Sequence, residues 1–344
     1  MLDFETKRYR LFLATGSKAY LEYLMTCGAK QILISFAYAD TFILKELMKR
    51  NDVKLLCDSG AFTSWNLAMR KKQEGDPNWK NFLVDIYKYI AFVKEHEDII
   101  WRAVNLDVIP GEQGREPGFE EIEIAAQQGF DNLKIMQAPG INAIHVYHQG
   151  EDLKWLDKMI VEGACDYIGV SPCNDYSTER KQAWLDQVFR YLGEKYPHIK
   201  THGFGVTAGV LVKRYPWYST DSSSYSMTAA MGAILTPYGR IYVSDDPEGL
   251  GDPDHIDNKP QQIKDFIDKY LLARIGYNLK SMMDKDGKTS VQCTHCKEYH
   301  EILAKTQAYK PRNFANISYF LDLEDEVNSI DCPMNFSKQS TLQF

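Results

Sequence analysis

The sequence predicts an α/β protein of the (β/α)8 barrel class with an appended C-terminal lobe. Eight short apolar runs have the β-branched character of buried strands, and amphipathic helical segments separate most of them. Glycine or proline follows several of these runs, as at Gly60, Pro110 and Pro172. An open doubly wound sheet would give the same alternation, so the count favours the barrel and leaves that alternative open.

The elements are predicted in chain order from these patterns. The predicted strands are Gln31–Ser35, Val53–Cys57, Trp101–Leu106, Ile144–His148, Tyr167–Val170, Thr201–Phe204, Trp217–Thr220 and Arg240–Val243. The predicted helices are Thr41–Arg50, Trp79–His96, Phe119–Ala138, Leu153–Glu162, Thr178–Tyr196 and Tyr225–Leu235. A loop rich in Asp, Gly and Pro spans 244–260, and a helix is predicted from Gln261 to Leu279. We therefore expect a barrel domain at 1–260 and a C-terminal lobe at 261–344.

Composition excludes several protein classes. With 344 residues, 44% hydrophobic and 25% charged, the chain is neither disordered, collagen-like nor a coiled coil. It has no apolar run of about 18 residues and a charged N-terminus, so we expect no membrane association and a cytoplasmic location. Seven cysteines, an odd number, favour free or metal-bound thiols in a reducing compartment. The net charge of −7 leaves the partner open.

Three acidic residues follow predicted strands: Asp58, Asp107 and Asp221. The carboxyl ends of barrel strands form one face, so these side chains are expected to converge there. Each one alone also fits an ordinary turn or helix cap. Together they predict a site, because a buried carboxylate needs hydrogen-bond partners or a chemical use. A pair of carboxylates suits glycosyl transfer, in which one attacks the anomeric carbon and the other transfers protons.

The order of six motifs carries a family resemblance. CDSGAFTSW, NLDVIPG, VYHQGED, DYIGVSP, THGFGV and STDSSSYSM follow one another between about residues 30 and 245. In this order they resemble the guanine transglycosylases, which exchange guanine for a 7-deazaguanine base. They are most similar to the DNA 7-deazaguanine transglycosylases of phage and bacterial DNA-modification systems. The resemblance implies base exchange through a covalent aspartyl-glycosyl intermediate, in the host cytoplasm if the protein is encoded by a phage.

The resemblance also implies roles for individual residues. Asp221 matches the nucleophile that attacks C1′ of the target nucleotide, and Asp58 matches the general acid and base. Asp107 matches the carboxylate that binds the N1 and N2 edge of guanine. Phe62 and Phe204 correspond to the residues that sandwich the base.

Further substrate-binding positions follow from the same motifs. Gln149 stands where the family has a base-recognising glutamine, although the adjacent His148 leaves the register open by one residue. Tyr167 and Gly169 match a segment whose backbone passes close to the base. Ser59 and Gly205 adjoin the same strand-end loops.

Two departures bear on the substrate. Ala61 replaces the second glycine of the usual DSGGF motif, and Ser222 to Tyr225 replace the basic segment that follows the nucleophile in tRNA-acting enzymes. The second departure favours DNA over tRNA.

A possible structural zinc site lies in the C-terminal lobe. Cys293, Cys296 and His300 have the spacing of half a tetrahedral site, with Cys332 as the fourth candidate and His295 as a substitute for His300. The tRNA enzymes carry zinc in about this place, but this chain has Val291 at their first cysteine. Zinc is therefore bound by a rearranged set or lost, and a chance pair of reduced cysteines is the alternative. No organic cofactor or ATP is needed for base exchange.

The predicted partners are DNA with a guanine target and a free 7-deazaguanine base. Residues 269–312 hold nine basic and four acidic residues, a net charge of +5 against −12 for the rest, which suits a phosphate backbone or a solvated helical face. A guanine in duplex DNA would have to be flipped out. A homo-oligomer is left open.

Three other functions are alternatives to DNA base exchange. A tRNA-guanine transglycosylase with an atypical lobe is the first alternative. A non-catalytic nucleic-acid-binding subunit is the second, and the retention of three strand-end aspartates argues against it. The third is an unrelated barrel lyase or aldolase, which would usually require a lysine or a metal cluster at the strand ends, and the sequence shows neither there.

Overall fold

The computed structural model describes residues 4–38, 41–112, 114–244, 252–283, 288–292, 299–303 and 309–334. The chain divides into two compact units. The first unit contains Met1–Lys18, Lys30–Ser222 and Glu326–Phe344, and the second contains Ala19–Ala29 and Ser223–Asp325. The boundary predicted at residue 260 therefore falls inside the second unit.

The first unit is built on an eight-stranded parallel sheet. Its strands are β1 (Arg10–Ala14), β2 (Gln31–Ser35), β3 (Lys54–Asp58), β4 (Ile100–Ala103), β5 (His145–His148), β6 (Tyr167–Ser171), β7 (Lys200–Gly203) and β8 (Ser219–Ser222). The spatial order is β4-β3-β2-β1-β8-β7-β6-β5. A parallel bridge between Val104 and Ile144 joins the two ends, with Asn105 N donating to Ile144 O at 2.8 Å. The predicted (β/α)8 barrel class is confirmed.

Helices lie between successive strands of this sheet, and the last three helices in the described part of the chain follow the eighth strand. They are α1 (Lys18–Thr26), α2 (Thr41–Met48), α3 (Ala61–Gln73), α4 (Ile86–Glu95), α5 (Phe119–Gln137), α6 (Leu153–Val161), α7 (Thr178–Lys195), α8 (Gly209–Arg214), α9 (Ser224–Ala230), α10 (Gln261–Ile275) and α11 (Tyr309–Ser329). Side chains from most strands fill the barrel interior, where Phe12, Leu56, Val146 and Tyr167 belong to one buried cluster. No helix in the described ranges is long and apolar enough to cross a membrane.

The sequence predicts eight strands and the barrel has eight, but the two sets differ at one strand. Seven predicted runs are barrel strands, but Arg240–Val243 is not one of them, and β1 was missed. Strand β1 begins with the charged Arg10, which is 1% exposed. Its guanidinium lies 3.9 Å from the Tyr218 ring centroid and donates to Phe4 O at 2.6 Å, contacts that make burial of a cation acceptable.

The residues from Ser223 to Asp325 belong to the second unit because they pack into a separate buried cluster. Strands β9 (Ala233–Thr236) and β10 (Gly239–Tyr242) form an antiparallel hairpin, and Ile234 and Ile241 in it share a buried cluster with Ile267 and Leu271 of α10. The predicted helix Tyr225–Leu235 was therefore wrong in its second half, where the chain forms β9. The remaining strands, β11 (Lys288–Gln292) and β12 (Tyr299–Leu303), form a second antiparallel hairpin.

Candidate functional site

The three predicted carboxylates stand at the carboxyl ends of three barrel strands. Asp58 ends β3, Asp107 follows β4, and Asp221 lies in the second half of β8. The pKa of Asp58 is raised from 3.8 to about 7 by burial, and then by the negative charges of Asp107 and Asp221, while the Gly60 N–H opposes the rise. Leu56, two residues before Asp58, and Phe12, in register with Asp221, both belong to the buried cluster inside the barrel, so Asp58 and Asp221 face the same mouth, and Asp107 is close enough to act on Asp58.

The loop after β3 fixes one oxygen of Asp58. Gly60 N donates to Asp58 Oδ2 at 2.9 Å, which leaves Oδ1 as the oxygen not used by this contact. Gly60 has φ +77°, and a Cβ there would lie 2.6 Å from Ala37 Cβ and 2.7 Å from Ser35 Oγ. The fully buried Ser59 accepts from Ala61 N at 3.3 Å at the start of α3. Ser59 thus shapes the loop that holds Asp58.

Asp221 is held by the loop after β7. Gly205 N donates to Asp221 Oδ1 at 3.1 Å, and Gly205 adopts φ +63°. His202 Nε2 faces the same oxygen at 3.4 Å but makes no hydrogen bond, although the ring is fully buried. The other ring nitrogen, Nδ1, lies 2.5 Å from Ser219 Oγ. Gly205 N and His202 Nε2 both face Oδ1 of Asp221, so neither of these contacts uses Oδ2.

His202 was missed by sequence reasoning. It lies within the THGFGV motif, on a strand whose inward positions are normally apolar. A histidine at an inward-facing strand position is the sequence feature that indicates His202 as a site residue.

Asp107 belongs to a three-residue ionic cluster. His148 Nε2 lies 2.9 Å from Asp107 Oδ2, and His148 Nδ1 lies 2.9 Å from Glu151 Oε1. Burial would lower the pKa of His148, but the hydrogen bonds to Asp107 and Glu151 outweigh it and raise this pKa to about 10. The imidazole is therefore a cation at neutral pH, fixed between two carboxylates.

A second histidine lies beneath this cluster and stays neutral. Burial, together with the His148 charge, lowers the pKa of His145 to about 3, while Asp107 opposes the fall. Asn105 Nδ2 lies 2.9 Å from His145 Nδ1 and donates to Gly129 O at 2.8 Å. These contacts support the strand end that carries Asp107.

The side chains of the adjacent residues His148 and Gln149 make different contacts. His148 contacts Asp107, whereas Gln149 Oε1 accepts from Cys173 N at 3.0 Å. Gln149 N also donates to Ser171 O at 2.9 Å. Gln149 therefore fixes the loop after β6, and its base-recognising role stays a prediction.

Phe204, Gly169 and Tyr167 have different surroundings. A Cβ on Gly169 would lie 2.4 Å from Phe204 Cε2, so glycine is required for the ring to pack there. The Phe204 ring also meets the His202 ring edge-on, with centroids 4.4 Å apart. Tyr167, at the opposite end of β6 from Ser171, is buried and its hydroxyl contacts Ser219 Oγ. The Tyr167 side chain thus belongs to the barrel core rather than to the mouth.

Phe62 lies in a more open place. It is 59% exposed in the first turn of α3, with its ring centroid 6.4 Å from that of Trp65. The ring lines a groove between α3 and the start of α4. Its predicted stacking on a base remains a prediction.

The zinc prediction falls mostly outside the described residues. Cys293, Cys296 and His295 lie outside the described ranges, and of His300 only its backbone position in β12 is described. Cys332 Sγ donates to Arg214 O at 3.5 Å, and burial raises the pKa of its thiol. Within the described ranges, no three histidine, cysteine or acidic side chains are grouped to hold a metal ion.

Comparison with known proteins identifies no family for this chain. No protein-family model matches the chain, and no curated protein matches it. One similar solved structure is described as a 4-hydroxy-2-oxoglutarate aldolase/2-deydro-3-deoxyphosphogluconate aldolase. It is 11% identical, covers 65% of this chain and 90% of its own, and has a TM-score of 0.37. These comparisons therefore assign no function to the chain.

Proposed function

We propose that this chain is a transglycosylase that exchanges guanine in DNA for a 7-deazaguanine base, such as the 7-cyano form. The observation that carries the proposal is that Asp58 and Asp221 occupy inward-facing positions at the carboxyl ends of their strands, at one mouth of the barrel. Each carboxylate is held by a loop amide through one oxygen. Two carboxylates with separate environments suit a double displacement at a sugar carbon.

In the first step, Asp221 attacks C1′ of the target nucleotide through its free Oδ2. A new ester bond forms between Asp221 and C1′, and the bond from C1′ to guanine N9 breaks. The Gly205 N–H holds Oδ1 at 3.1 Å, which orients the carboxylate for the attack. The departing guanine takes a proton.

Asp58 supplies that proton and later recovers it. With its pKa near 7, the Asp58 carboxyl group is partly protonated at neutral pH, which suits a general acid that becomes a general base. After guanine leaves, the Asp58 carboxylate accepts the N9 proton of the incoming 7-deazaguanine. N9 then attacks C1′, and Asp221 is released as a carboxylate.

Asp107 recognises the base in this scheme. The N1 and N2 edge of guanine presents hydrogen-bond donors, so it needs an acceptor. His148 occupies Oδ2 of Asp107 at 2.9 Å, which leaves Oδ1 as the acceptor for that edge. The exchange replaces one glycosidic bond by another, so it requires neither ATP nor an organic cofactor. Zinc in the second unit would be structural.

Trapping of the covalent intermediate tests the nucleophile. We expect a guanine-containing oligonucleotide to form an adduct on denaturing gels with the wild-type protein and none with Asp221→Ala. Exposed Asp98→Ala is the matched control and should give the wild-type yield. A normal adduct yield with Asp221→Ala would remove Asp221 from this role.

The proton role and the substrate class need separate measurements. For Asp58→Asn we expect base exchange to fall by roughly 100-fold or more while DNA binding persists. Unchanged exchange would refute the proton role. Labelled guanine should be incorporated into DNA and not into tRNA when both are offered, and the opposite preference would favour a tRNA-acting enzyme. Binding without any exchange would favour a non-catalytic subunit.

A further inference from the structure

A groove on the first unit is not used by the chemistry described above. It has a volume of about 1650 Å³ and is lined by residues 36–38, by α3 and by residues 80–88. Small-molecule pockets usually have volumes of about 300–1,000 Å³. The size of this groove therefore suits a polymer better than a single small ligand.

Three aromatic side chains of the groove are unusually exposed. Tyr38 is 57% exposed, Phe62 is 59% exposed and Tyr87 is 69% exposed. Exposed apolar surface gathered in one groove indicates a binding surface, whereas scattered exposure does not. Flat aromatic rings are also the side chains on which unpaired bases stack.

The charged lining is mostly positive. Arg70, Lys80 and Lys88 line the groove, and Asp85 is its one carboxylate among the lining residues described. Asp85 is occupied as the cap of α4, accepting from Tyr87 N at 2.9 Å and Lys88 N at 3.2 Å. Within the described part of the chain, neither Lys80 nor Lys88 is in an ion pair, and the Lys80 ammonium lies 5.6 Å from the Trp79 ring centroid. Phosphate contacts made by these two ammonium groups would therefore break no ion pair, and Lys80 would exchange its contact with the Trp79 ring.

One lining residue of the groove, Phe62, follows the reactive carboxylate of Asp58 by four positions in the sequence. Phe62 follows Gly60 by two residues, and Gly60 N holds Asp58. Because Phe62 is in the first turn of α3 and Asp58 ends the strand before this helix, a nucleic-acid strand bound at Phe62 would lie at the end of α3 nearest to Asp58. Exposed aromatic rings together with three basic side chains and one carboxylate, already used as a helix cap, complement a single-stranded polynucleotide better than an apolar peptide.

We propose that this groove, between α3 and the start of α4, binds single-stranded DNA next to the target nucleotide. Tyr87 and Tyr38 stack on flanking bases, and Lys80 and Lys88 contact the backbone. The inference deepens the proposed function, since it names the route by which its DNA substrate enters. It concerns binding alone and is tested without base exchange.

Binding of a guanine-free oligothymidylate, followed by fluorescence anisotropy, tests the groove. Tyr87→Ala should weaken binding by about 5- to 150-fold, the range for losing one base-stacking ring. Phe119→Ala is the matched control, because Phe119 is 68% exposed outside the groove. Lys80→Ala with Lys88→Ala should reduce the slope of log K against log salt by about 1.4, and Lys94→Ala should leave it unchanged.

The outcomes separate this proposal from the exchange reaction. Wild-type affinity in Tyr87→Ala and in the double lysine variant, with unchanged circular dichroism, would overturn the groove proposal even if exchange occurs. Loss of binding in these variants supports the groove even if the wild-type protein exchanges no base. A wild-type dimer that Tyr87→Ala dissociates in sedimentation would assign the groove to a second copy of the chain and overturn the proposal.

Discussion

The raised pKa of Asp58 predicts how the free energy of unfolding changes with pH. A carboxyl group whose pKa is about 7 in the folded state and 3.8 when unfolded binds its proton more tightly in the folded protein. Folding stability then falls as pH rises from about 4 to about 7, and the full cost is present above pH 7. At 1.36 kcal/mol for each pH unit, the charge on Asp58 costs about 4 kcal/mol.

Asp58→Asn removes this cost with little change in shape. The amide oxygen of asparagine can still accept from Gly60 N, so the loop after β3 should keep its conformation. We expect the variant to be more stable than the wild-type protein at pH 8. The difference should grow by about 2–3 kcal/mol between pH 5 and pH 8.

Urea unfolding followed by tryptophan fluorescence measures this difference. All six tryptophans belong to the first unit, so the signal follows the barrel: Trp65, Trp79, Trp101, Trp155, Trp184 and Trp217. Exposed Asp98→Asn serves as the control and should follow the wild-type pH profile. If Asp58→Asn has the same pH dependence as the wild-type protein, the carboxyl group is not held in the environment described.

Three other predictions follow from the site and its surroundings. The raised pKa of His148 stabilises the folded protein fully below pH 6.5, and this stabilisation is lost as the pH rises to about 10. The urea midpoint of the wild-type protein should therefore fall between these pH values, and that of His148→Gln should fall less. Equal pH dependence of the two midpoints would contradict the ionic cluster. Gly169→Ala should cost about 1–3 kcal/mol by displacing the Phe204 ring, measured against Gly16→Ala, and a cost equal to that of the control would contradict this packing. Atomic emission should find zinc in the wild-type protein and none in Cys293→Ser, and equal metal in both would remove the cysteine site.

Local patterns in the sequence were sufficient for much of the fold. Apolar β-branched runs predicted seven of the eight barrel strands, because a strand buried on both faces requires such residues. They failed at β1, where Arg10 is buried through contacts with Tyr218 and Phe4 that are remote from any local pattern. They also failed at Arg240–Val243, because a hairpin strand and a barrel strand have the same local composition.

The candidate site shows the same division. The sequence by itself placed Asp58, Asp107 and Asp221 at strand ends, since parallel strands of a barrel present their carboxyl ends on one face. Only the tertiary structure decided that His148 rather than Gln149 meets Asp107, and that His202 faces Asp221. The physical reason is that strand alternation and loop conformation determine which of two neighbouring side chains points inward. The partners in these pairs are 41 and 19 residues apart, so packing and desolvation of the whole barrel determine which side chains meet.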